Sequence, residues 1–124
     1  MKSNLDIALI LVRVGLAAIF IAHGWDKLTD MDSTVKFFSM LNLSAFWAYL
    51  VAYVELLGGI SMLIGLGTGW SGIILAINMI GAIALVKITK GFVGGFEFDL
   101  MLFLAALAIS FAGPGKYTIQ KIWK

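Results

Sequence analysis

Long apolar segments alternate with short polar connectors along this chain, and four of the apolar segments are long enough to cross a membrane. A helix needs about 20 mostly apolar residues to span the hydrocarbon core of a bilayer. The expected spans are residues 5–25, 46–66, 72–88 and 98–112. The sequence GLGTGWSG at 65–72 predicts a turn that makes the second and third spans an antiparallel hairpin. The sequence GPG at 113–115 cannot continue a helix and ends the fourth span.

The connector between the first and second spans is too polar to cross a membrane, but its pattern predicts a short helix. Ser33 or Thr34 can cap the start of this helix. Val35, Phe38 and Leu41 then share one face, which is typical of a helix lying flat in the membrane interface. This helix could cover the mouth of the bundle, or it could be a spacer with no gating role.

Composition supports the assignment to the membrane. Hydrophobic residues make up 61% of the 124 residues and charged residues only 13%, and the mean hydropathy is +1.02, so the chain lacks the polar surface of a soluble domain. We therefore predict an all-α fold in a single domain over residues 1–124. Its architecture is an integral membrane antiparallel four-helix bundle with a short interfacial helix between helices 1 and 2.

Cysteine content and net charge exclude several kinds of function. The chain has no cysteine, which excludes disulfides, thiolate metal sites and iron–sulfur clusters. The formal net charge of +2 is too small to indicate nucleic acid as a partner.

Arg13 and Glu55 each lie near the middle of an apolar span. A charge at that depth costs roughly 2.5–3.5 kcal/mol on insertion scales, so it persists only where it is paired or functional. Alternating helix direction places Glu55 and Asn78 at similar depths, with Arg13 a few ångströms from both. We expect the planar guanidinium of Arg13 to hold the carboxylate of Glu55. This pair could be a structural clamp or part of a ligand site, and Asn78 could bond a neighbouring helix or a ligand.

A second group of polar residues lies at the span ends on the side where helix 1 finishes, and it could line one water-accessible mouth. Its members are His23, Asp26, Lys27, Lys87, Glu97 and Asp99. These residues could be simply solvated, or they could bind a ligand. His23 has three open roles: an interfacial hydrogen-bonding residue, a proton relay, or a metal or haem ligand.

The lysine count does not decide which side of the membrane this mouth faces. Four lysines lie on each side: Lys2, Lys116, Lys121 and Lys124 beside the termini, and Lys27, Lys36, Lys87 and Lys90 beside the mouth. The positive-inside rule therefore gives no orientation, because the two counts are equal. Because the acidic residues cluster at the mouth, the side of the termini has the more positive net charge. Net charge therefore favours cytoplasmic termini.

Four motifs run through nearly the whole chain: RVGLAAIFIAHGWDKL at 13–28, VELLGG at 54–59, GGFEFDL at 94–100 and GPGKYT at 113–118. In order and spacing they resemble the DoxX family (DoxX/DoxD-like) of small four-helix bacterial and archaeal membrane proteins. The resemblance implies a four-helix bundle and membrane redox chemistry, including quinone-linked thiosulfate oxidation in relatives with the DoxD name. It marks Arg13, His23, Gly24, Lys27, Glu55, Gly58, Gly59, Glu97 and the GPG turn. Lys87 departs from the pattern, since many members have a histidine in that neighbourhood.

These features predict a quinone-linked membrane oxidoreductase, or the membrane subunit of one, acting on a small sulfur oxyanion or another reductant. The candidate catalytic residues are Arg13, Glu55 and His23, and the candidate ligand-binding residues are Asn78, Lys27, Lys87, Glu97 and Asp99. A quinone is the expected cofactor, and we expect no metal site, because the sequence shows no haem, flavin or iron–sulfur signature.

The expected location is the prokaryotic cytoplasmic (inner) membrane, and the expected partners are the lipid bilayer, a redox protein and a second copy of the chain. The alternative function is that of a non-catalytic membrane protein. Such a protein would bind a small apolar or anionic ligand or scaffold redox partners.

Overall fold

The computed structural model describes residues 2–119, with the side chains of residues 4–119. Within these residues there is no strand, and the five α-helices are α1 Lys2–Thr29, α2 Met31–Met40, α3 Ala45–Ile64, α4 Thr68–Ala82 and α5 Glu97–Ala112. Four helical segments are long and apolar enough to cross a membrane: Asn4–Thr29, Ala45–Ile64, Thr68–Lys90 and Phe92–Ala112. The predicted all-α membrane fold with four spans is confirmed. Lys121 and Lys124, which entered the lysine count, lie outside the described residues.

The short helix predicted between the first two spans is α2, but it begins differently from the prediction. Asp30 is the N-cap, and its carboxylate accepts a hydrogen bond from the backbone N–H of Ser33 at 3.4 Å. The expectation that Ser33 or Thr34 caps this helix is wrong, because α1 continues to Thr29 and leaves Asp30 alone between the two helices. Phe38 is buried, as expected for the apolar face of α2.

Two glycines make the turn between α3 and α4. Gly65 has a φ of 75° and Gly67 a φ of 67°, and residues with a Cβ rarely adopt this left-handed backbone. The turn is shorter than the glycine-rich sequence predicts, since α4 begins directly after it at Thr68. The later glycines of that sequence lie inside α4 and need no special backbone.

The chain does not pass from α4 to α5 through a simple loop. It continues through a π-helical turn, Ile83–Lys87, and a 3₁₀ turn, Ile88–Lys90. It then breaks at Gly91, which has a φ of 77°, and non-helical backbone follows until α5 begins at Glu97. This break places Asp99 in the first turn of α5. Single π-helical turns occur frequently at functional sites, which directs attention to this end of the bundle.

The bundle consists of two closely packed pairs, α1 with α3 and α4 with α5, which meet through α3 and α4. At Gly24 the helices of the first pair nearly touch, since an added Cβ would lie 2.5 Å from the backbone nitrogen of Leu56. The core is formed by Leu16, Ala17, Phe20, Met62, Leu75, Ala76, Met79, Leu102, Ala106 and Ile109. Only 22–28% of the most apolar stretch of each span is buried, so the other apolar side chains face lipid.

Candidate functional site

Arg13 is completely buried on α1, and backbone carbonyls hold its guanidinium. Its Nε donates to the carbonyl oxygen of Met62 at 2.8 Å, and its Nη2 donates to that of Leu63 at 3.0 Å, both in the last turn of α3. Its Nη1 donates to the carbonyl oxygens of Pro114 at 2.9 Å and Tyr117 at 2.7 Å, in the segment after α5. Arg13 therefore ties the end of α3 to the segment that follows α5.

The predicted ion pair between Arg13 and Glu55 is wrong, and the direction of helical side chains explains why. Cα–Cβ bonds point towards the N-terminus of their own helix. Arg13 therefore reaches towards the side of the termini, whereas Glu55 on the antiparallel α3 reaches towards the opposite mouth. The carbonyl of Met62, which accepts a hydrogen bond from Arg13, lies about 10 Å further along α3 than Glu55. Gly65 leaves room for the guanidinium, because a Cβ there would lie 2.6 Å from Nη2 of Arg13.

Glu55 is the centre of a different polar network inside the bundle. Its Oε1 accepts a hydrogen bond from Nζ of Lys27 at 2.6 Å, and its Oε2 accepts one from Nδ2 of Asn78 at 3.1 Å. The side chain of Glu55 is 9% exposed and that of Lys27 is 24% exposed. We call Lys27, Glu55 and Asn78 the glutamate network. Three helices contribute one residue each, and both carboxylate oxygens have a partner.

Helix geometry also explains why Lys27 reaches Glu55. Lys27 lies in the last turn of α1 and its side chain points back into the bundle, while Glu55 points towards Lys27 from α3. The flexible four-carbon stem of the lysine covers the remaining distance. Gly24 lies against Leu56 in the same region, so the two helices are close enough for this contact. Pairing with the ammonium offsets much of the cost of placing Glu55 in an apolar span.

A second lysine and carboxylate face each other between the π-helical turn after α4 and the first turn of α5. Nζ of Lys87 lies 3.9 Å from Oδ2 of Asp99, and we call these two residues the aspartate pair. Asp99 is only 4% exposed. Among the described residues, its Oδ2 has no hydrogen-bond partner. A buried polar atom in this state is uncommon in folded proteins and requires an explanation.

The other three predicted mouth residues, His23, Asp26 and Glu97, are exposed at the same end of the bundle. Glu97 accepts a hydrogen bond from the backbone N–H of Gly94, within the break before α5. His23 lies one helical turn before Lys27 on α1. Within residues 4–119, the hydrogen bonds of Glu55 run to Lys27 and Asn78 and not to His23. The structure therefore brings five of the predicted mouth and layer residues into two clusters and leaves these three outside.

An open groove of about 270 Å³ lies between the end of α1 and α2. It is lined by Asp26, Lys27, Asp30, Ser33, Thr34, Phe37 and Phe38. Lys27 lines the groove and also donates to Glu55, so the groove lies beside the glutamate network. Sequence reasoning missed Asp30, Phe37 and Phe38 as lining residues. The available signal was Asp30 itself, an N-cap residue type directly after α1.

The two clusters offer hydrogen-bond donors and carboxylates, and this defines their chemistry. Ammonium and amide groups can hold a ligand oxygen, and the carboxylates can accept or release protons. Among the residues that the structure describes, no group of three or more His, Cys, Asp or Glu side chains could hold a metal ion. The arrangement is therefore suited to binding a small oxygen-bearing ligand and to moving its protons.

Comparisons with known proteins agree with this membrane fold. The Bacillus subtilis (strain 168) protein named "Putative oxidoreductase CatD" is 37% identical over 113 residues, which cover 91% of this chain and 84% of that protein. The Escherichia coli (strain K12) protein named "Inner membrane protein YqjF" is 25% identical over 125 residues, covering 98% of this chain and 96% of that protein. No solved structure matches the chain.

The sequence model of one family matches residues 8–88, which is more than half of the chain. Together with the similarity to the Bacillus subtilis protein along most of both chains, this match establishes that the chain belongs to the DoxX family.

Proposed function

We propose that this protein is a quinone-linked membrane oxidoreductase, or the membrane subunit of one, in the prokaryotic cytoplasmic membrane. The observation that carries the proposal is the glutamate network, a buried carboxylate held by an ammonium and an amide beside a groove that opens at the mouth. The relative named as an oxidoreductase supports redox chemistry, and the relative named as an inner membrane protein supports the location.

A quinone suits this arrangement because its head group needs hydrogen-bond donors while its tail partitions into lipid. Lys27 and Asn78 are the donors in the glutamate network, and a quinone carbonyl can accept from either. Both now donate to Glu55. Binding would therefore exchange one of these internal hydrogen bonds for a bond to the quinone and would free one carboxylate oxygen of Glu55.

Reduction of a quinone to a quinol adds two electrons and two protons. Glu55 takes up a proton that arrives from the groove through Lys27 and passes it to the head group, and a second such cycle supplies the second proton. His23 lies one helical turn from Lys27. The electrons come from a partner redox protein or from a small reductant such as a sulfur oxyanion, which is oxidised in step. Lys27 and Lys87 attract such an anion to the mouth. Arg13 has no part in this scheme, because backbone carbonyls occupy its donors at the other end of the bundle.

A second candidate function is non-catalytic: binding a small apolar or anionic ligand, or scaffolding redox partners. The observation that favours it is that both oxygens of Glu55 already have partners within the chain. A fully satisfied polar network stabilises and rigidifies a fold without any ligand. In that case a redox protein or a second copy of the chain would supply the function.

Organic extraction of the purified protein separates the two candidates. The redox proposal predicts a co-extracted quinone and, with an added reductant, quinol formation that follows the amount of protein. Ultraviolet absorbance of the quinone measures both results. A control with heat-denatured protein measures the quinol that the reductant forms directly, and this amount is subtracted. An extract of lipid alone, together with no protein-dependent quinol formation from protein or small-molecule donors, would contradict the proposal and favour the non-catalytic function.

A further inference from the structure

We infer that a ligand hydroxyl binds at the Lys87–Asp99 pair, in contact with both residues, and that Asp99 exchanges a proton with that hydroxyl. Given the proposed function, on which this inference rests, the hydroxyl belongs to a quinol head group. Asp99 then donates a proton when the quinone is reduced and takes it back when the quinol is oxidised.

The first observation is the width of the gap. Nζ of Lys87 and Oδ2 of Asp99 are 3.9 Å apart, whereas N–H···O hydrogen bonds are about 2.7–3.2 Å long. Asp99 is 4% exposed, and its Oδ2 has no hydrogen-bond partner within the described residues. A buried carboxylate oxygen without a partner carries a desolvation penalty that a bound donor would remove. The two groups attract each other without a direct hydrogen bond, and a hydroxyl oxygen beside the line between them can lie within hydrogen-bond distance of both.

The second observation is the contrast with the glutamate network. Glu55 has both oxygens engaged, one at 2.6 Å by Lys27 and one at 3.1 Å by Asn78. A ligand must displace one of those partners before it can reach Glu55. At Asp99 no hydrogen bond to Oδ2 has to break, although this oxygen is fully buried and the side chain of Lys87 must move to admit a ligand.

The chemistry of the gap selects its occupant. The ligand group that contacts both residues must donate a hydrogen bond to Oδ2 of Asp99 and accept one from Nζ of Lys87. A hydroxyl does both, whereas a ketone or ether oxygen only accepts. In the proton transfer the ligand O–H bond breaks and an O–H bond forms on Asp99. The electron pair stays on the ligand oxygen, and the ammonium of Lys87 stabilises the oxyanion.

The position of the pair in the fold also suits a head group. Gly72 of α4 lies against the backbone of Ala106 of α5. Six residues from this contact towards the mouth, Asn78 on α4 lies opposite residue 100 on α5. Asp99 therefore lies at about the depth of the glutamate network. The side chain of Lys87, which belongs to the π-helical turn, is 34% exposed, so its movement would open a route to the buried Oδ2 of Asp99.

The test compares two probes on the protein in lipid nanodiscs: a short-chain benzoquinol and its dimethyl ether, which carries two additional methyl groups and cannot donate. Binding is followed by isothermal titration calorimetry. Wild-type protein should bind the quinol at least about tenfold more tightly than the ether, as expected for a hydrogen bond to a charged acceptor. Asp99→Asn should reduce that preference to about threefold or less, because a neutral acceptor bonds more weakly. The matched control Asp32→Asn, an exposed acid on α2, should keep it.

The outcomes separate this inference from the proposed function. Equal binding of quinol and ether by wild-type protein overturns the hydroxyl position, while a co-extracted quinone would leave the proposed function standing. No binding of either probe, with no quinone in the extract, overturns both. If Asp99→Asn fails to fold, Lys87→Gln replaces it, with an expected loss of about tenfold for both probes because both accept from Nζ. Unchanged affinities in Lys87→Gln would overturn the inference.

Discussion

Arg13 keeps its charge inside the bundle by donating four hydrogen bonds to backbone carbonyls. Two of these carbonyls, those of Met62 and Leu63, belong to the last turn of α3, where helical C=O groups lack intrahelical partners. The C-terminus of a helix also carries partial negative charge, which stabilises a nearby cation. The guanidinium therefore satisfies backbone groups that would otherwise lie buried without donors.

Replacing Arg13 should destabilise the bundle without affecting the glutamate network. Arg13→Lys keeps the charge but loses the planar set of guanidinium donors. We therefore expect the free energy of unfolding to fall by about 2–4 kcal/mol. Combined with Glu55→Gln, the two effects should add to within about 0.5 kcal/mol, since the residues share no partner. Unfolding in detergent, followed by circular dichroism, measures both quantities. A coupling above about 1 kcal/mol would show that Arg13 and Glu55 do interact.

Lys27 and Glu55 should show the coupling that Arg13 lacks. Lys27→Met leaves the carboxylate of Glu55 buried without its cation, so the single replacement should be more harmful than the double replacement Lys27→Met with Glu55→Gln. We expect a coupling energy of about 1–3 kcal/mol from the double-mutant cycle. Lys36→Met, which removes an exposed lysine from α2, is the control and should be nearly neutral. Strict additivity of the Lys27 and Glu55 variants would contradict the pairing.

The sequence predicts part of this site for a clear physical reason. Glu55 and Asn78 were expected at one depth because a hairpin of α3 and α4 fixes their register, and the structure joins them at 3.1 Å. The partner of Arg13 could not be predicted from Cα depth, because side-chain direction moves the charge towards one end of the helix. The hydrogen-bond acceptors of Arg13 are backbone carbonyls. Every residue has such a carbonyl, so residue types in the sequence do not indicate which ones accept from Arg13.

At the scale of elements, the close approach of α1 and α3 depends on small residues, Gly24 on α1 and Gly59 on α3. Gly24 of α1 lies directly against the backbone of Leu56, next to Glu55. Gly15, on the same helix, has no atom within 4 Å of the position of an added Cβ. One helix therefore holds a glycine required by packing and a glycine that is not.

Alanine substitutions at these two positions should have opposite effects. Gly24→Ala pushes α1 away from α3 and should destabilise the protein by about 1–3 kcal/mol, as overpacking does. Gly15→Ala should be neutral or stabilising by up to about 1 kcal/mol, because alanine favours the helix. Thermal unfolding in a single detergent compares the two variants. Equal stability of Gly24→Ala and wild type would mean that α1 and α3 are not in this close contact.

The elements themselves were largely predictable, and their ends were not. Apolar length is enough to identify spans, because the thickness of the bilayer sets it. The break from Gly91 to Glu97 was not expected, since the π-helical turn before it depends on how α4 meets α5 rather than on local sequence. The cap of α2 was misplaced for a similar reason, because the end of α1 decides which residue begins the next helix.

At the scale of the whole molecule, the two ends of the bundle differ. One end holds the glutamate network, the aspartate pair and the groove. The other end is fastened by Arg13 and by Asp6, whose carboxylate accepts the backbone N–H of Lys116 at 3.1 Å. The candidate site thus lies at one end of the bundle, and the contacts that fasten the helices lie at the other.

Cysteine labelling tests this arrangement directly, because the chain has no native cysteine. Asp26→Cys and Glu97→Cys replace exposed residues at the mouth, and Lys116→Cys replaces an exposed residue at the opposite end. A membrane-impermeant thiol reagent added to right-side-out and inverted vesicles should label the first two from one side and the third from the other. Labelling of Asp26→Cys and Glu97→Cys from opposite sides would contradict the four-span bundle.

The most direct test of the proposed function is quinone reduction by wild-type protein and Glu55→Gln under identical conditions. Glutamine keeps the size and the hydrogen-bonding reach of Glu55 but cannot ionise, so it isolates proton transfer from packing. We predict that Glu55→Gln lowers protein-dependent quinol formation at least about 100-fold, as expected for loss of a general acid. Asp32→Asn, the exposed control on α2, should keep the wild-type rate. A Glu55→Gln protein that is folded and reduces quinone at the full rate would contradict the proposed role of the buried network.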